Sequence, residues 1–271
     1  MGSVWLIASG KGGVGKSTVS AGTATALNRM GSKVCIVDAD IGLKCQDTIL
    51  GVENNVVYDL MDVARKGCSI RQALIRVPEE ENLRLLAASQ FARAKDLEPK
   101  VFDGIVKDLR DSFDHVIIDC PAGLERNLRI LTQCHPDHTV VVLTPDDVSI
   151  QDAKRLCAFL AGKELPRPQL IVNRLIPDLV RAKEMLPAKA AAIRLSYPLL
   201  GEIPDDRSVY RALINHIRVM DVDCEVRSAM IRIATRMRGE KVAFPEYGSE
   251  KPSLLSRLRF RRMKEVRTID R

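Results

Sequence analysis

The sequence has 271 residues, of which 46% are hydrophobic, 28% are charged, 16 are Gly and 13 are Pro, so its composition is that of a folded protein and not of a disordered or fibrous one. A chain of this length can bury one large core, since single α/β domains reach about 250 residues, and we expect one domain with a short appendage. The formal net charge is +7, but residues 251–271 carry eight basic and two acidic side chains, so the rest of the chain is nearly neutral and lacks the uniformly basic surface of a nucleic-acid-binding protein.

Short segments rich in Val, Ile and Leu alternate with segments of helical spacing along the chain. This alternation is typical of a parallel sheet that is covered by helices on both faces. We therefore predict an α/β fold with a mostly parallel sheet of about seven or eight strands. The predicted strands are Val4–Ala8, Val34–Val37, Leu83–Ala87, His115–Ile118, Thr139–Leu143, Leu170–Val172 and Leu199–Ile203. The longer predicted helices are Ser17–Met30, Pro99–Asp111, Ser149–Leu160 and Asp223–Met237.

The first predicted strand is followed by a glycine-rich loop. Residues 10–17 read Gly-Lys-Gly-Gly-Val-Gly-Lys-Ser and match the pattern G-x-x-x-x-G-K-[ST] between a strand and a helix. Backbone N–H groups of such a loop point at an anion, and the N-terminus of the helix adds partial positive charge. We predict that Lys16 contacts the β and γ phosphates of a nucleotide and that Ser17 binds Mg²⁺. The predicted contacts of this loop are Gly10, Lys11, Gly12, Gly13, Val14, Gly15, Lys16, Ser17 and Thr18.

Three aspartates follow predicted strands at the same edge of the sheet. Asp38 and Asp40 come at the end of the second strand and lie on one side of an extended chain, because side chains there repeat every two residues. Asp119 follows an apolar strand and precedes a Pro/Gly turn. Ligands gather at the carboxyl ends of parallel strands, so we predict that Asp38 and Asp119 support the metal and that Asp40 orients the attacking water. Solvated or strand-ending turns are the alternative interpretation of these aspartates.

Cysteine spacing and hydropathy exclude several classes of protein. The seven cysteines form no Cys-x-x-Cys pair, which argues against a disulfide framework, an iron–sulfur site or a Cys-based zinc site. No uninterrupted apolar segment approaches the roughly 18 residues needed to cross a bilayer, and Val4–Ala8 is too short for the core of a signal peptide. We therefore expect a cytoplasmic protein.

The C-terminal part of the sequence changes character after Gly239. Turn-forming residues accumulate up to Pro252, so we divide the chain into a domain over residues 1–240, a linker over residues 241–252 and a helix over residues 253–266, with a tail to residue 271. On a helical wheel, an apolar arc faces a basic one, which is typical of a helix lying in a membrane interface. The predicted membrane contacts are Leu254, Leu255, Leu258 and Phe260. A docked helix, a disordered basic tail and a nucleic-acid contact remain alternatives.

The glycine-rich loop and the aspartates together resemble the MinD/ParA family of P-loop ATPases. Lys11, directly after the first glycine, completes the family's deviant Walker A pattern, and residues 38–40 and 119–123 match its other motifs. The resemblance covers the whole chain, and residues 40–43, residues 121–125 and the basic C-terminus resemble the septum-placement branch of the family. It implies a P-loop NTPase fold and a Mg²⁺-dependent ATPase that converts ATP into ADP and phosphate.

The resemblance also implies how nucleotide would be held. Two copies of the chain would sandwich two ATP molecules, and Lys11 of each copy would contact the phosphates bound by the other, as a cation supplied in trans. From the residues alone, an exposed loop lysine is the favoured interpretation of Lys11, because most lysines lie on protein surfaces. Adenine would be held by Asn173 and Arg174 and by the loop that contains Pro204 and Asp205, although Asn173 also suits a turn that ends a strand.

The function implied by the resemblance is an ATP-hydrolysing, membrane-associated regulator of division-septum placement. Its ATP-bound homodimer would hold an anionic membrane on the inner face of the cell membrane through the C-terminal helix and recruit a MinC-like inhibitor of septum assembly. A MinE-like activator would trigger hydrolysis and release. The alternatives are a ParA-like ATPase that partitions DNA or cargo, which the nearly neutral body disfavours, a flagellar-placement homologue, and a scaffold that does not hydrolyse ATP.

Overall fold

One sheet forms the centre of the molecule. The computed structural model describes residues 1–43, 45–123, 128, 131–245 and 247. Within this part of the chain the strands are β1 (Ser3–Ser9), β2 (Val34–Asp38), β3 (Leu74–Arg76), β4 (Leu83–Leu86), β5 (His115–Ala122), β6 (His138–Leu143), β7 (Gln169–Leu175) and β8 (Leu199–Pro204). They form a single sheet in the order β3-β4-β2-β5-β1-β6-β7-β8. Neighbouring strands are parallel except for β3, which is antiparallel to β4.

Helices connect the strands and cover both faces of the sheet. The α-helices in the described ranges are α1 (Lys16–Arg29), α2 (Gln46–Leu50), α3 (Leu60–Ala64), α4 (Ile70–Ala73), α5 (Pro99–Ser112), α6 (Asp147–Ala161), α7 (Pro177–Arg181), α8 (Ala188–Leu195), α9 (Arg207–Ile214) and α10 (Glu225–Met237). Short 3-10 turns lie at Glu53–Asn55, Ala94–Asp96, Thr132–Cys134 and Val219–Asp221. No helix among the described residues combines the length and the apolar character needed to cross a bilayer.

Side chains of β1 show how the core is divided. Val4, Leu6 and Ala8 face one helical layer, which includes α3, α5, α6 and α8. Trp5 and Ile7 face the other layer, which includes α1 and α10. Because both faces of the sheet are covered, its central strands are apolar on both sides, as in other parallel sheets.

The predicted fold class is confirmed, with all seven predicted strands and the four longer helices present. The eighth strand, β3, has only three residues and too little pattern to be recognised. Strand β5 was predicted to end at Ile118, because Asp119 leads into a Pro/Gly turn. It continues to Ala122 with a register shift against β1 between Ile7 and Ser9, so Asp119 lies within the strand and not at its end. The prediction of a strand end at Asp119 was wrong for this reason.

Helix α6 begins earlier than the predicted start at Ser149. Asp146 is its N-cap, and the side-chain Oδ1 of Asp146 accepts a hydrogen bond from the backbone N–H of Ser149 at 2.9 Å. Such a cap satisfies one of the N–H groups that lack a partner within the helix. The helix therefore starts at Asp147 and brings its first turns against the glycine-rich loop.

Candidate functional site

The glycine-rich loop lies between β1 and α1 at the centre of the carboxyl edge. Gly15 has a φ of 87°, and a Cβ atom there would lie 2.4 Å from Nδ2 of Asn173 on β7. A Cβ atom at Gly10 would lie 2.5 Å from the carbonyl carbon of Asp152 in α6. Two neighbouring elements therefore pack directly on the loop backbone, and both positions require glycine for steric reasons.

Replacing Gly15 with Ala is expected to lower the free energy of unfolding by about 1–2 kcal/mol or more, because an Ala residue is strained at positive φ and its Cβ atom would also clash with Asn173. Chemical denaturation followed by circular dichroism measures the effect. Gly12→Ala is the matched control within the same loop, since no atom lies within 4 Å of its Cβ position. Equal stability of the two variants would contradict the steric argument.

A buried ion pair connects the loop with β5. Lys16 Nζ donates to Asp119 Oδ1 at 2.6 Å, and the side chains of Lys16 and Asp119 are 6% and 0% exposed. The Ser20 hydroxyl donates to the same oxygen at 2.8 Å. Burial alone would lower the pKa of Lys16, but the charge of Asp119 and its hydrogen bond outweigh burial and raise this pKa. Lys16 is therefore held as a cation at the predicted phosphate site.

Asp38 is fully buried beside Asp119, with which it is in register across the β2–β5 pair. Its Oδ1 accepts a hydrogen bond from the backbone N–H of Asp40 at 3.1 Å, and its Oδ2 accepts from those of Cys45 and Gln46 at 3.1 and 3.0 Å. Burial and the charge of Asp119 together raise the pKa of Asp38 to about 6, against the effect of these hydrogen bonds. Asp38 thus anchors both ends of the segment that leads from β2 into α2.

Asp40 and Asp38 are placed differently from the predicted pair on one strand. Strand β2 ends at Asp38, so the two-residue repeat of an extended chain does not continue to Asp40. Asp40 is half-buried, and its backbone carbonyl accepts a hydrogen bond from the N–H of Leu43 at 3.1 Å. The prediction that the second strand runs through Asp40 was wrong, because β2 ends at Asp38, whereas the placement of both carboxylates on one side stays a prediction. The role predicted for Asp40 with the attacking water stays a prediction.

Lys11 is exposed at the front of the loop. It lies close enough to Asp146, the N-cap of α6, to affect the titration of that carboxyl group. Burial works to raise the pKa of Asp146, but hydrogen bonds from Thr144 and Ser149 and the charge of Lys11 lower it overall. An exposed ammonium group at this place is available to a second molecule.

Gln46, the first residue of α2, is a member of this cluster that the sequence did not predict. Its side-chain Nε2 donates to the backbone carbonyl oxygen of Ser17 at 3.0 Å and to Asp119 Oδ2 at 2.7 Å. The residue is fully buried. No motif places a functional residue at this position, so only the fold reveals it.

The predicted adenine contacts lie together in one pocket beside the loop. Asn173 Nδ2 donates to the carbonyl oxygen of Val14 at 2.8 Å, which fixes the end of β7 against the loop. Arg174 has a φ of 60° and lies over the ring of Tyr210 at 6.0 Å. The pocket is lined by the predicted residues Gly15, Thr18, Asn173, Arg174, Pro204 and Asp205, and also by Val209, Tyr210 and Leu213 of α9, which were not predicted. Nucleotide contact by these residues stays a prediction.

The side chains near Lys16 fit a bound Mg²⁺ ion. Lys16 Nζ lies 3.2 Å from the Ser17 hydroxyl and 2.6 Å from Asp119 Oδ1. Ser17 and Asp119, two of the residues predicted at the metal, therefore already contact the same positively charged group. Their hydroxyl and carboxylate oxygens are the hard donors that Mg²⁺ prefers. The carboxylate of Asp38 accepts hydrogen bonds from three backbone N–H groups. Asp38 is therefore suited to support the metal site indirectly.

The predicted linker lies partly, and the predicted membrane helix over residues 253–266 entirely, outside the described residues. Of the linker, residues 241–245 and Tyr247 are described. Tyr247 packs against the core near α8, and its hydroxyl accepts a hydrogen bond from Arg232 at 3.3 Å. The described part of the linker thus lies at the β8 edge of the sheet, where Pro245 and Tyr247 line a pocket with Glu202.

The chain is similar in sequence to known P-loop NTPases and to MinD proteins. The ParA family model, described as NUBPL iron-transfer P-loop NTPase, matches residues 1–237. The septum site-determining protein MinD of Helicobacter pylori is 39% identical over 255 residues, which cover 92% of this chain and 95% of that protein. MinD of Bacillus subtilis is 35% identical over 263 residues, which cover 96% of this chain and 97% of that protein.

Solved structures of MinD proteins have the same fold as this chain. MinD in a MinC:MinD cell division protein complex of Aquifex aeolicus is 31% identical with a TM-score of 0.82, and the match covers 90% of this chain and 99% of that one. The septum site-determining protein MinD of Pyrococcus horikoshii, complexed with Mg-ADP, is 28% identical with a TM-score of 0.76, over 88% of this chain and 96% of that one. From its sequence and its fold, the chain belongs to the MinD family of septum site-determining proteins within the ParA-type P-loop NTPases.

Proposed function

We propose that this regulator of division-site placement works as a Mg²⁺-dependent ATPase whose ATP-bound dimer holds the membrane. The observation that carries the proposal is the buried pair of Lys16 and Asp119 next to an exposed Lys11 on the same loop. The first two residues are set up to bind phosphate and metal within one subunit. Lys11 has the exposure that contact with a second subunit requires.

The residues have separate roles in the proposed reaction. Lys16 donates to the phosphates, and Ser17, supported by Asp38 and Asp119, holds Mg²⁺, which when bound neutralises charge on the β and γ phosphates. Asp40 orients the attacking water. Lys11 supplies a positive charge to the phosphates bound by the partner subunit. Asn173 and Arg174 belong to the pocket that receives adenine.

We propose two protein partners and a membrane surface. The MinC:MinD complex of Aquifex aeolicus supports a MinC-like septum inhibitor as one partner. A MinE-like activator of hydrolysis is the other. The helix predicted over residues 253–266 would hold the dimer on the anionic inner face of the cell membrane, so that the protein moves between cytoplasm and membrane according to its nucleotide.

Release of phosphate from ATP tests the proposed activity directly. With Mg²⁺ and anionic vesicles, the chain is expected to release phosphate continuously, and chelation of Mg²⁺ with EDTA is expected to stop the release. Bound ATP without any turnover under these conditions would indicate a scaffold and overturn the proposal.

Lys11→Ala is expected to lower the rate of hydrolysis by about 10³-fold or more, the range found for cations supplied in trans to a phosphoryl group. The variant should still bind ATP but remain a monomer in sedimentation velocity with a non-hydrolysable ATP analogue, whereas the unaltered chain forms a dimer. Lys33→Ala is the matched control, since Lys33 is an exposed lysine that precedes β2 at the opposite edge of the sheet. Normal dimers and turnover in Lys11→Ala would refute its role in trans.

A further inference from the structure

The carboxamide of Gln46 holds one buried atom without a partner. Both N–H bonds of its Nε2 are used, one toward the Ser17 carbonyl oxygen and one toward Asp119 Oδ2. Oε1 of the same group is buried and has no hydrogen-bond partner among the described residues. Buried polar atoms are nearly always paired, so an orphan of this kind calls for an explanation.

The orientation of this amide is set by chemistry. An amide side chain can be turned by half a revolution with almost no change of shape, so its oxygen and nitrogen must be assigned from their partners. The two partners of Nε2 are a backbone carbonyl and a carboxylate, and both only accept hydrogen bonds. If the two atoms were exchanged, Oε1 would face the Ser17 carbonyl oxygen and Asp119 Oδ2, and neither pair could form a hydrogen bond. Oε1 is therefore the atom that is left over.

The unpaired Oε1 belongs to a carboxamide whose nitrogen contacts two residues of the predicted metal site. Oε1 and Nε2 are bonded to the same carbon atom. Nε2 contacts Asp119 Oδ2 and the backbone carbonyl oxygen of Ser17, the residue whose hydroxyl is predicted to bind Mg²⁺. Mg²⁺ usually keeps several water molecules when it binds to proteins, and these waters donate hydrogen bonds to surrounding acceptors. Oε1 is an unpaired acceptor in the same side-chain group that contacts these residues.

We propose that Gln46 is a positioning residue for Mg²⁺, whose Oε1 accepts a hydrogen bond from the hydration shell of the ion while its Nε2 holds Ser17 and Asp119 in place. The inference rests on the proposed function, since it requires Mg²⁺ at this site. It adds a residue that the motif does not contain. It also connects the metal to α2, because the backbone N–H of Gln46 donates to Asp38 at 3.0 Å.

A titration of Mg²⁺ against the complex with a fluorescent ADP analogue tests the role. In Gln46→Leu, which keeps the size of the side chain but has no polar atom, the half-saturating Mg²⁺ concentration is expected to rise about 10- to 100-fold, as for other residues behind a metal's ligands. Affinity for the same ADP analogue in EDTA is expected to stay within about threefold, because the lost contact is one to the metal's surroundings.

Two controls separate this role from a structural one. Thr48→Ala changes an exposed residue of the same helix and should leave the Mg²⁺ titration unaltered. If Gln46→Leu does not fold, Gln46→Met takes its place, because the flexible thioether chain adapts to the same space. An unchanged Mg²⁺ midpoint, or an equal loss of ADP affinity with and without Mg²⁺, would show a merely structural role and overturn the inference.

The unaltered chain shows which hypothesis has failed. If it binds the ADP analogue more tightly with Mg²⁺ than in EDTA, the proposed nucleotide and metal site stands, and only the variants decide about Gln46. If its binding of the analogue does not respond to Mg²⁺, the proposed metal site is wrong, and the inference about Gln46 is overturned with it.

Discussion

A chain that ends at Glu250 is expected to lose ATP-dependent binding to anionic vesicles. The removed segment contains Leu254, Leu255, Leu258 and Phe260. Burial of these four side chains in the interface is worth about 6–12 kcal/mol at most, and nearby basic residues add about 1 kcal/mol each. Ordering a dozen residues opposes this with about 1–2 kcal/mol per residue. One helix is therefore marginal, and two helices on a dimer gain about 10²- to 10⁴-fold in avidity.

Vesicle co-sedimentation measures this effect. The full chain should sediment with vesicles in ATP and much less in ADP, whereas the truncated chain should stay in the supernatant in both. A full-length Leu254→Gln/Leu258→Gln variant keeps every basic residue and should behave like the truncated chain. Equal sedimentation of all forms would contradict the membrane hypothesis. Salt-sensitive binding to DNA in place of vesicles would favour a ParA-like partitioning protein.

Lys16→Ala is expected to abolish nucleotide binding and to lower the free energy of unfolding by about 3–5 kcal/mol, the range found when one partner of a buried ion pair is removed. Without Lys16, the charge of Asp119 would remain buried beside Asp38 with hydrogen bonds from Ser20 and Gln46 as its remaining partners. The loss of binding has a different cause, since the ammonium group itself contacts phosphate. Stability and binding should therefore respond differently to a second substitution.

The double variant Lys16→Ala/Asp119→Asn separates these two effects. Replacing the carboxylate with an amide removes the unpaired buried charge, so the double variant should recover much of the lost stability in a denaturant titration. It should not recover binding of a fluorescent ATP analogue. If the two substitutions are simply additive in stability, Lys16 and Asp119 are not coupled as the 2.6 Å contact indicates.

The phosphate loop and the fold class could be predicted because their signals are local. Gly15 and Lys16 belong to a short pattern whose chemistry follows from consecutive residues, and strands such as Val34–Val37 show their burial on both faces as continuous apolar runs. Asp119 was found by the same reasoning, although its strand extends further than the turn-forming Pro121 suggested. A register shift against β1 lies at that extension, and no local pattern reports it.

The sequence by itself thus predicted the chemistry at the centre of this protein, a loop for phosphate, a lysine and carboxylates for the metal, because each of these residues belongs to a short pattern of consecutive residues. Only the tertiary structure decided the surroundings. Gln46 reaches Asp119 across 73 positions, and Asn173 reaches Val14 across 159. Contacts over such separations depend on which strands lie side by side, and a parallel sheet sets that order through packing of its helices and not through any local pattern.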